Sequence, residues 1–210
     1  MDERTPPRLE VPNLFGWIYL NSLEEILGQN GLVAVLNQSG YNELIDNYPA
    51  EDRDILKQPE LFSQTGKALE GLYGVRGGRG VALRAGRASF KYYLKYFGPE
   101  MGLESVDFRL LPLEEKLFSG LQKLADLLGG YYNQPVTVEK EPENYFWKTG
   151  RCPYCWERDS DEPVCHFQVG LLQSALYWLS GGKYYTVQES ACAAAGAETE
   201  IIRIDRSPLD

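Results

Sequence analysis

All four cysteines and the only histidine of this chain fall within about a fifth of its length, in the order Cys152-Pro-Tyr-Cys155-Trp, Cys165-His166 and Glu189-Ser-Ala-Cys192. Thiolate, imidazole and carboxylate are the donors a borderline-soft cation takes, and a Cys-x-x-Cys spacing lets one turn aim two thiolates at a single ion. The first expectation is therefore a bound metal. Zinc leads because it takes four such donors, with iron, alone or as an iron–sulfur cluster on Cys152, Cys155, Cys165 and Cys192, as the chemical fallback. A redox dithiol is the competing use of the pair. Such a site follows a strand and opens a helix, whereas Pro153 and the acidic stretch from Glu157 to Glu162 read as a loop excursion. His166 reads either as an imidazole ligand or as a hydrogen-bonding group at a helix start.

The elements that must hold these residues follow from periodicity. Val169, Leu172, Leu176 and Leu179 recur at three- and four-residue steps on one helical face, and Gly181-Gly182 ends that helix. Cys165 and His166 stand just before it. Lys183 to Glu189 reads as a strand with Tyr185, Val187 and Glu189 on one face; Ala191 to Gly196 makes a turn, and Glu200 to Ile204 returns as the partner strand. Glu189 and Cys192 thus sit where the first strand enters its turn.

The segments Cys-Pro-x-Cys-Trp, Pro-Val-Cys-His, Gly-Leu-Leu and Val-x-Glu-x-x-Cys-x-Ala-x-Gly, spread over roughly Tyr145 to Ile204, resemble the 4-vinyl reductase domain. That family is described as hydrocarbon-binding. It includes an accessory protein of bacteriochlorophyll synthesis and the sensor domains of phenol- and xylene-responsive regulators, and shares its fold with Golgi-transport (TRAPP) subunits. The resemblance implies a zinc held by Cys165, Glu189 and Cys192. Where the family has a final Cys this chain has Glu200, so Glu200, Cys152 or Cys155 completes the shell. It also implies an apolar, tetrapyrrole-like ligand and a setting in chlorophyll biosynthesis and photosynthesis.

The remainder of the chain reads as scaffold. Its 210 residues suit one domain, with a mostly helical part over 13–130 and a core carrying the ligand cluster over 131–206. A net charge of −9 offers no field for a nucleic-acid backbone. Met1 to Val11 is charged and proline-bearing, unlike a signal peptide, and no apolar run approaches a membrane span, so a cytoplasmic protein is expected. In that compartment four cysteines are ligands or free thiols before they are disulfides.

Asn13 can cap a helix carrying Phe15, Ile18, Tyr19 and Ile26, ending near Gly28 to Gly31, with a short second helix from Leu32 to Asn37. Tyr41 to Pro59 reads as short helices and turns. Gly71 to Gly98 carries Arg76, Arg79, Arg84, Arg87, Lys91 and Lys95 without an acid, but its glycines precede no Gly-Lys-Ser/Thr and make no nucleotide loop. Arg84 and Arg87, at the start of a helix running to Phe97, suit a carboxylate of ligand or partner. That helix bears Phe90, Tyr92, Tyr93, Tyr96 and Phe97, too many rings for one buried stripe. A planar ligand touching Tyr93, Trp147 and Trp156, or a homodimer interface, would use the excess. Leu113, Leu117, Leu121, Leu124 and Leu128 form an amphipathic stripe begun by Pro112 and ended by Gly129-Gly130. Val136–Val138 and Tyr145–Trp147 read as two strands joined by an acidic turn. The sum is an α+β fold, a small mainly antiparallel sheet packed with helices.

No Gly-x-Ser-x-Gly elbow, histidine dyad or nicotinamide or flavin fingerprint is present in the sequence. The leading functional expectation is a non-enzymatic carrier, sensor or assembly factor for an apolar, tetrapyrrole-like ligand, with a structural metal. The alternative is a reductase of a tetrapyrrole vinyl group or a thiol oxidoreductase.

Overall fold

The computed structural model describes residues 9–150 and 152–209; residues 1–8, on which most of the reading of the N-terminus rests, lie outside the described residues. Helix α1 spans Asn13–Ser39. Its first turn follows Pro12, and Asn13 is the first helical residue rather than the cap; its side-chain amide donates to Asp52 at 2.9 Å. The helix breaks where its end was expected, at Gly28, whose φ of 70° and ψ of 165° no other residue adopts cheaply. Helix α2, Leu61–Met101, breaks in the same way at Gly74.

The glycine-rich stretch is therefore helical, and α2 begins long before Arg84. Tertiary packing overrides the poor helix propensity of glycine here. A Cβ on Gly86 would lie 2.0 Å from the carbonyl oxygen of Phe167, and one on Gly170 would lie 2.1 Å from that of Leu83. Two backbones meet at this crossing, and only hydrogen fits between them. We predict that Gly86→Ala lowers stability by roughly 1–3 kcal/mol or more, because neither backbone can yield without moving a helix. Gly80→Ala, with nothing within 4 Å of its Cβ, should instead raise stability by about 0.4–1 kcal/mol. Thermal melts of the two variants with shifts of the same sign would refute the close-approach account.

The short helix α3, Val106–Arg109, leads into α4, Leu113–Tyr132, which buries Leu117, Leu121, Leu124 and Leu128 of the leucine stripe, leaves Leu113 exposed and runs past Gly129-Gly130. Strands β1, Val136–Lys140, and β2, Asn144–Thr149, flank the acidic turn as expected. After β2 an irregular segment leads to α5, His166–Leu179, then β3, Tyr185–Ala191, and β4, Glu200–Pro208. The sheet has the order β1-β2-β4-β3, with every neighbouring pair antiparallel. The α+β expectation is met. No described helix is long and apolar enough to cross a membrane.

The surplus rings of α2 divide between two faces. Phe90, Tyr93 and Phe97 are buried, with Tyr93 and Phe97 edge-on to Phe15 at 5.3 and 5.6 Å. Tyr92 and Tyr96 lie half-buried on the other side, packed against Trp17 of α1 at 5.5 and 5.8 Å. Their hydroxyls go to Glu25 and Glu51. Both faces thus find partners within the chain.

Candidate functional site: a buried thiol–carboxylate cluster

Strand parity brings the carboxylates inside. Ile204, Ile202 and Glu200 alternate onto the core face of β4, as Tyr185, Val187 and Glu189 do on β3. Glu200 is 1% exposed and Glu189 8%. In the β2–β4 ladder Thr149 pairs with Glu200, so the chain leaving β2 delivers Cys152 to the same end of the sheet. Cys165 stands at the head of α5, and Cys192 follows an irregular step in the β3–β4 ladder after Glu189.

The donor atoms of Cys152, Cys155 and Cys165 lie within 4.8 Å of one another, and so do those of Cys165, Glu189 and Cys192. Cys165 belongs to both sets. Its sulfur is 3.7 Å from that of Cys192, and its backbone N–H donates to Glu189 Oε2 at 2.8 Å. All four cysteines are free and buried. Glu189 Oε1 and both carboxylate oxygens of Glu200 are buried without a hydrogen-bond partner. Such atoms each forfeit a desolvation penalty of about 1–3 kcal/mol, more for a charge, unless something supplies a positive partner.

Electrostatics match this crowding. Burial, then the neighbouring Cys152 and Cys155, pushes the Cys165 thiol well above the usual range. Burial and then Cys192 raise Glu189 to about 8, and burial and then Glu189 hold Glu200 well above an ordinary carboxyl. A cation among these groups inverts that logic by stabilising every anionic form at once. Disulfide-exchange chemistry wants the opposite, an accessible thiol with a depressed pKa.

The segment leading to α5 is fastened on several sides. Arg158 pairs with Glu70 of α2 at 2.8 Å with little exposure of either side chain, Arg79 pairs with Glu162 at 2.5 Å, and the Ser160 amide donates to the Ala194 carbonyl at 2.8 Å. Tyr154 was not foreseen as a core residue. It stacks on Phe167 at 4.9 Å and meets Phe62 edge-on at 5.7 Å. Its neighbours in sequence are cysteines and a proline, so no periodicity marked it. His166 belongs to neither donor set. Burial, with Arg79 and Arg158 nearby, pushes its imidazole down to about 4.

Five of the six metal-ligating candidates are therefore brought together in the two triads, and Glu200 is buried at the same end of the sheet without belonging to either. The ligand-binding candidates are spread out. Arg84 and Arg87 are exposed on the outer face of α2, where Arg84 Nε donates to the Gly80 carbonyl of its own helix and Arg87 Nε to Gln173 of α5 at 2.8 Å. Tyr93 is buried among the rings of α1 and α2, Trp147 is wholly buried with its indole N–H on Thr149 at 3.0 Å, and Trp156 is half-buried.

No family model matches the chain, and no curated protein is significantly similar to it. Solved structures are. A variant of the T. tengcongensis H-NOX domain superposes with a TM-score of 0.61 at 14% identity, covering 95% of this chain and 100% of that one. An H-NOX variant from K. algicida, described as an unliganded Fe(II) protein, gives 0.59 at 12% identity over 95% and 97% of the two chains. A third, described as probing heme distortion in the H-NOX family, gives 0.59 at 14% over 95% and 96%. These findings correct three expectations. The resemblance to the 4-vinyl reductase domain is not upheld, and the setting in chlorophyll biosynthesis and photosynthesis falls with it. Zinc is displaced as well, since the neighbours are described through heme and Fe(II). The donors here also form two overlapping triads rather than the single four-donor shell on which zinc was chosen. At these identities the likeness establishes architecture, and the chain has an H-NOX-like α+β fold.

Proposed function

We propose that this chain is a non-enzymatic small-molecule-binding module, a carrier or sensor, in which the thiol–carboxylate cluster holds a metal cation that clamps the 152–166 segment to the β3–β4 hairpin. The observation that carries the reading is the pair of buried donor triads that share Cys165, with Glu189 Oε1 left without a hydrogen-bond partner. Elemental analysis and native mass spectrometry of the protein as purified should find a bound metal, and Cys165→Ser should release it. A metal-free protein whose four thiols all react while it stays folded would falsify this.

A groove of about 320 Å³ beside α5 supports the ligand half of the reading; Arg87, Gln173, Tyr177, Tyr184 and Leu209 line it. Tyr177 and Tyr184 lie 4.9 Å apart at its edge and are exposed. Gln173, a neutral partner, holds the Arg87 guanidinium there and leaves its charge for a ligand acid. An aromatic ring with one carboxylate suits such a lining.

Heme, the group named for the fold neighbours, does not fit the residues as packed. The Tyr154–Phe167 stack and the backbone contact at Gly86 and Gly170 fill the interior between α2 and α5, and His166, the sole imidazole, is half-buried at the head of α5. A tetrapyrrole-like ligand of the kind expected from sequence would need the Tyr154–Phe167 stack to part. Titration with 2-naphthoate and with hemin separates the sizes of ligand. Naphthoate should bind, with affinity falling roughly tenfold or more in Arg87→Ala, the loss of one charge-assisted contact. Tight hemin binding with no naphthoate response would replace the groove with an interior tetrapyrrole site.

A further inference from the structure

The cluster holds more donors than one four-coordinate cation can use. Five side chains, Cys152, Cys155, Cys165, Glu189 and Cys192, are buried together with their donor atoms in two triads that share a single sulfur, and the buried Glu200 lies outside both triads. Around one ion ligated by the four thiols, Glu189 Oε1 and both oxygens of Glu200 would remain buried without a partner. Two ions remove that conflict.

We propose that the cluster is a dinuclear centre in which the Cys165 thiolate bridges two thiolate-preferring divalent cations. One cation takes Cys152, Cys155 and Cys165; the other takes Cys165, Cys192 and Glu189. Glu200, at the same end of the sheet with both oxygens buried and unpartnered, is the further carboxylate that the pair of cations would draw in. Each ion then holds three protein donors, and a bridging Glu200 carboxylate would bring both to the four of a closed structural site. Loading is an exchange of protons for metal: the four thiols, and each of the Glu189 and Glu200 carboxyls that carries a proton, release their protons to solvent, and no electron moves. The proposal rests on the reading that the cluster binds metal, and its new content is the number of ions and the bridging role of Cys165.

The full chain as purified, exchanged against Co(II), tests it, because Co(II) reports thiolate ligation by charge-transfer absorption and a shared ligand by spin coupling. Native mass spectrometry should show two Co(II) per chain at saturation. The electron paramagnetic resonance signal per cobalt should fall on going from one to two equivalents as the shared thiolate couples the spins. Cys152→Ser and Cys192→Ser should each retain one uncoupled Co(II). Saturation of the unaltered chain at one Co(II) overturns the dinuclear centre and leaves the metal-binding reading standing, whereas no Co(II) bound overturns both. The stoichiometry of the unaltered chain decides the matter even if a variant fails to fold.

Discussion

Stripping the cation from the thiol–carboxylate cluster should cost this chain more stability than any other single treatment. The segment from Cys152 to Val164 has no regular secondary structure, and between Glu157 and Pro163 its side chains are mostly exposed. Ordering its backbone costs on the order of 1–2 kcal/mol per residue, with little apolar burial along that stretch to offset the loss. Thiolate-held structural ions contribute about 10 kcal/mol or more, comparable with the roughly 5–15 kcal/mol net stability of a whole domain. Chelation under reducing conditions, or Cys165→Ser, should therefore lower the melting temperature by more than about 10 °C. Hydrogen exchange should rise first over 152–166 and 189–200, while the α1–α2 layer, with Phe15, Tyr93 and Phe97 interlocked, stays protected longest. An unchanged melting temperature after verified metal removal would show that the donors are satisfied without an ion.

Exposure to alkali should unfold the protein steeply. Tyr19 is buried, with its hydroxyl 2.8 Å from the Thr65 hydroxyl, and burial pushes its pKa up to about 12. Tyr93, buried against Phe15, is also raised by burial. In the unfolded chain a tyrosine titrates near 10, so as pH rises the unfolded state loses these protons first. The stabilisation is fully present below about pH 10 and lost as pH climbs toward the folded value. Tyr19 alone accounts for about 3 kcal/mol. Melting temperature should hold to about pH 10 and then drop, with tyrosinate absorbance appearing in the same cooperative step as loss of ellipticity. Tyr19→Phe should move that step to higher pH. A melting temperature flat to about pH 11.5, with tyrosinate forming gradually, would mean that the interior admits hydroxide without unfolding.

How far the chain could be read in advance depended on the range of the signal. Period-two alternation in Tyr185, Val187 and Glu189 is a local property of extended backbone, so the sequence put Glu189 on one face with Tyr185 and Val187, and burial shows that face to be the core one. The leucine stripe of α4 and the run from Val169 to Leu179 in α5 were legible for the same reason. The clustering of the cysteines marked this region as a donor cluster, while Glu189 and Glu200 entered as ligands only through a resemblance that the comparisons do not uphold. That clustering did not give the division into two triads around Cys165, which depends on where four separate segments come to rest. Gly71 to Leu83 failed to read as helix because glycine's weak propensity is local, whereas the contact of Leu83 with Gly170 that holds this stretch against α5 joins segments far apart in sequence. Tyr154 had no period at all, and only the stack on Phe167 made it core. The sequence by itself thus determined the fold class, most of the elements and the residue types of the cluster, because each is written in residues within a few turns or strand steps of one another. Only the tertiary structure decided that Cys165 is shared and that Glu200 is buried unpartnered, because burial and register bring together groups that no local pattern connects.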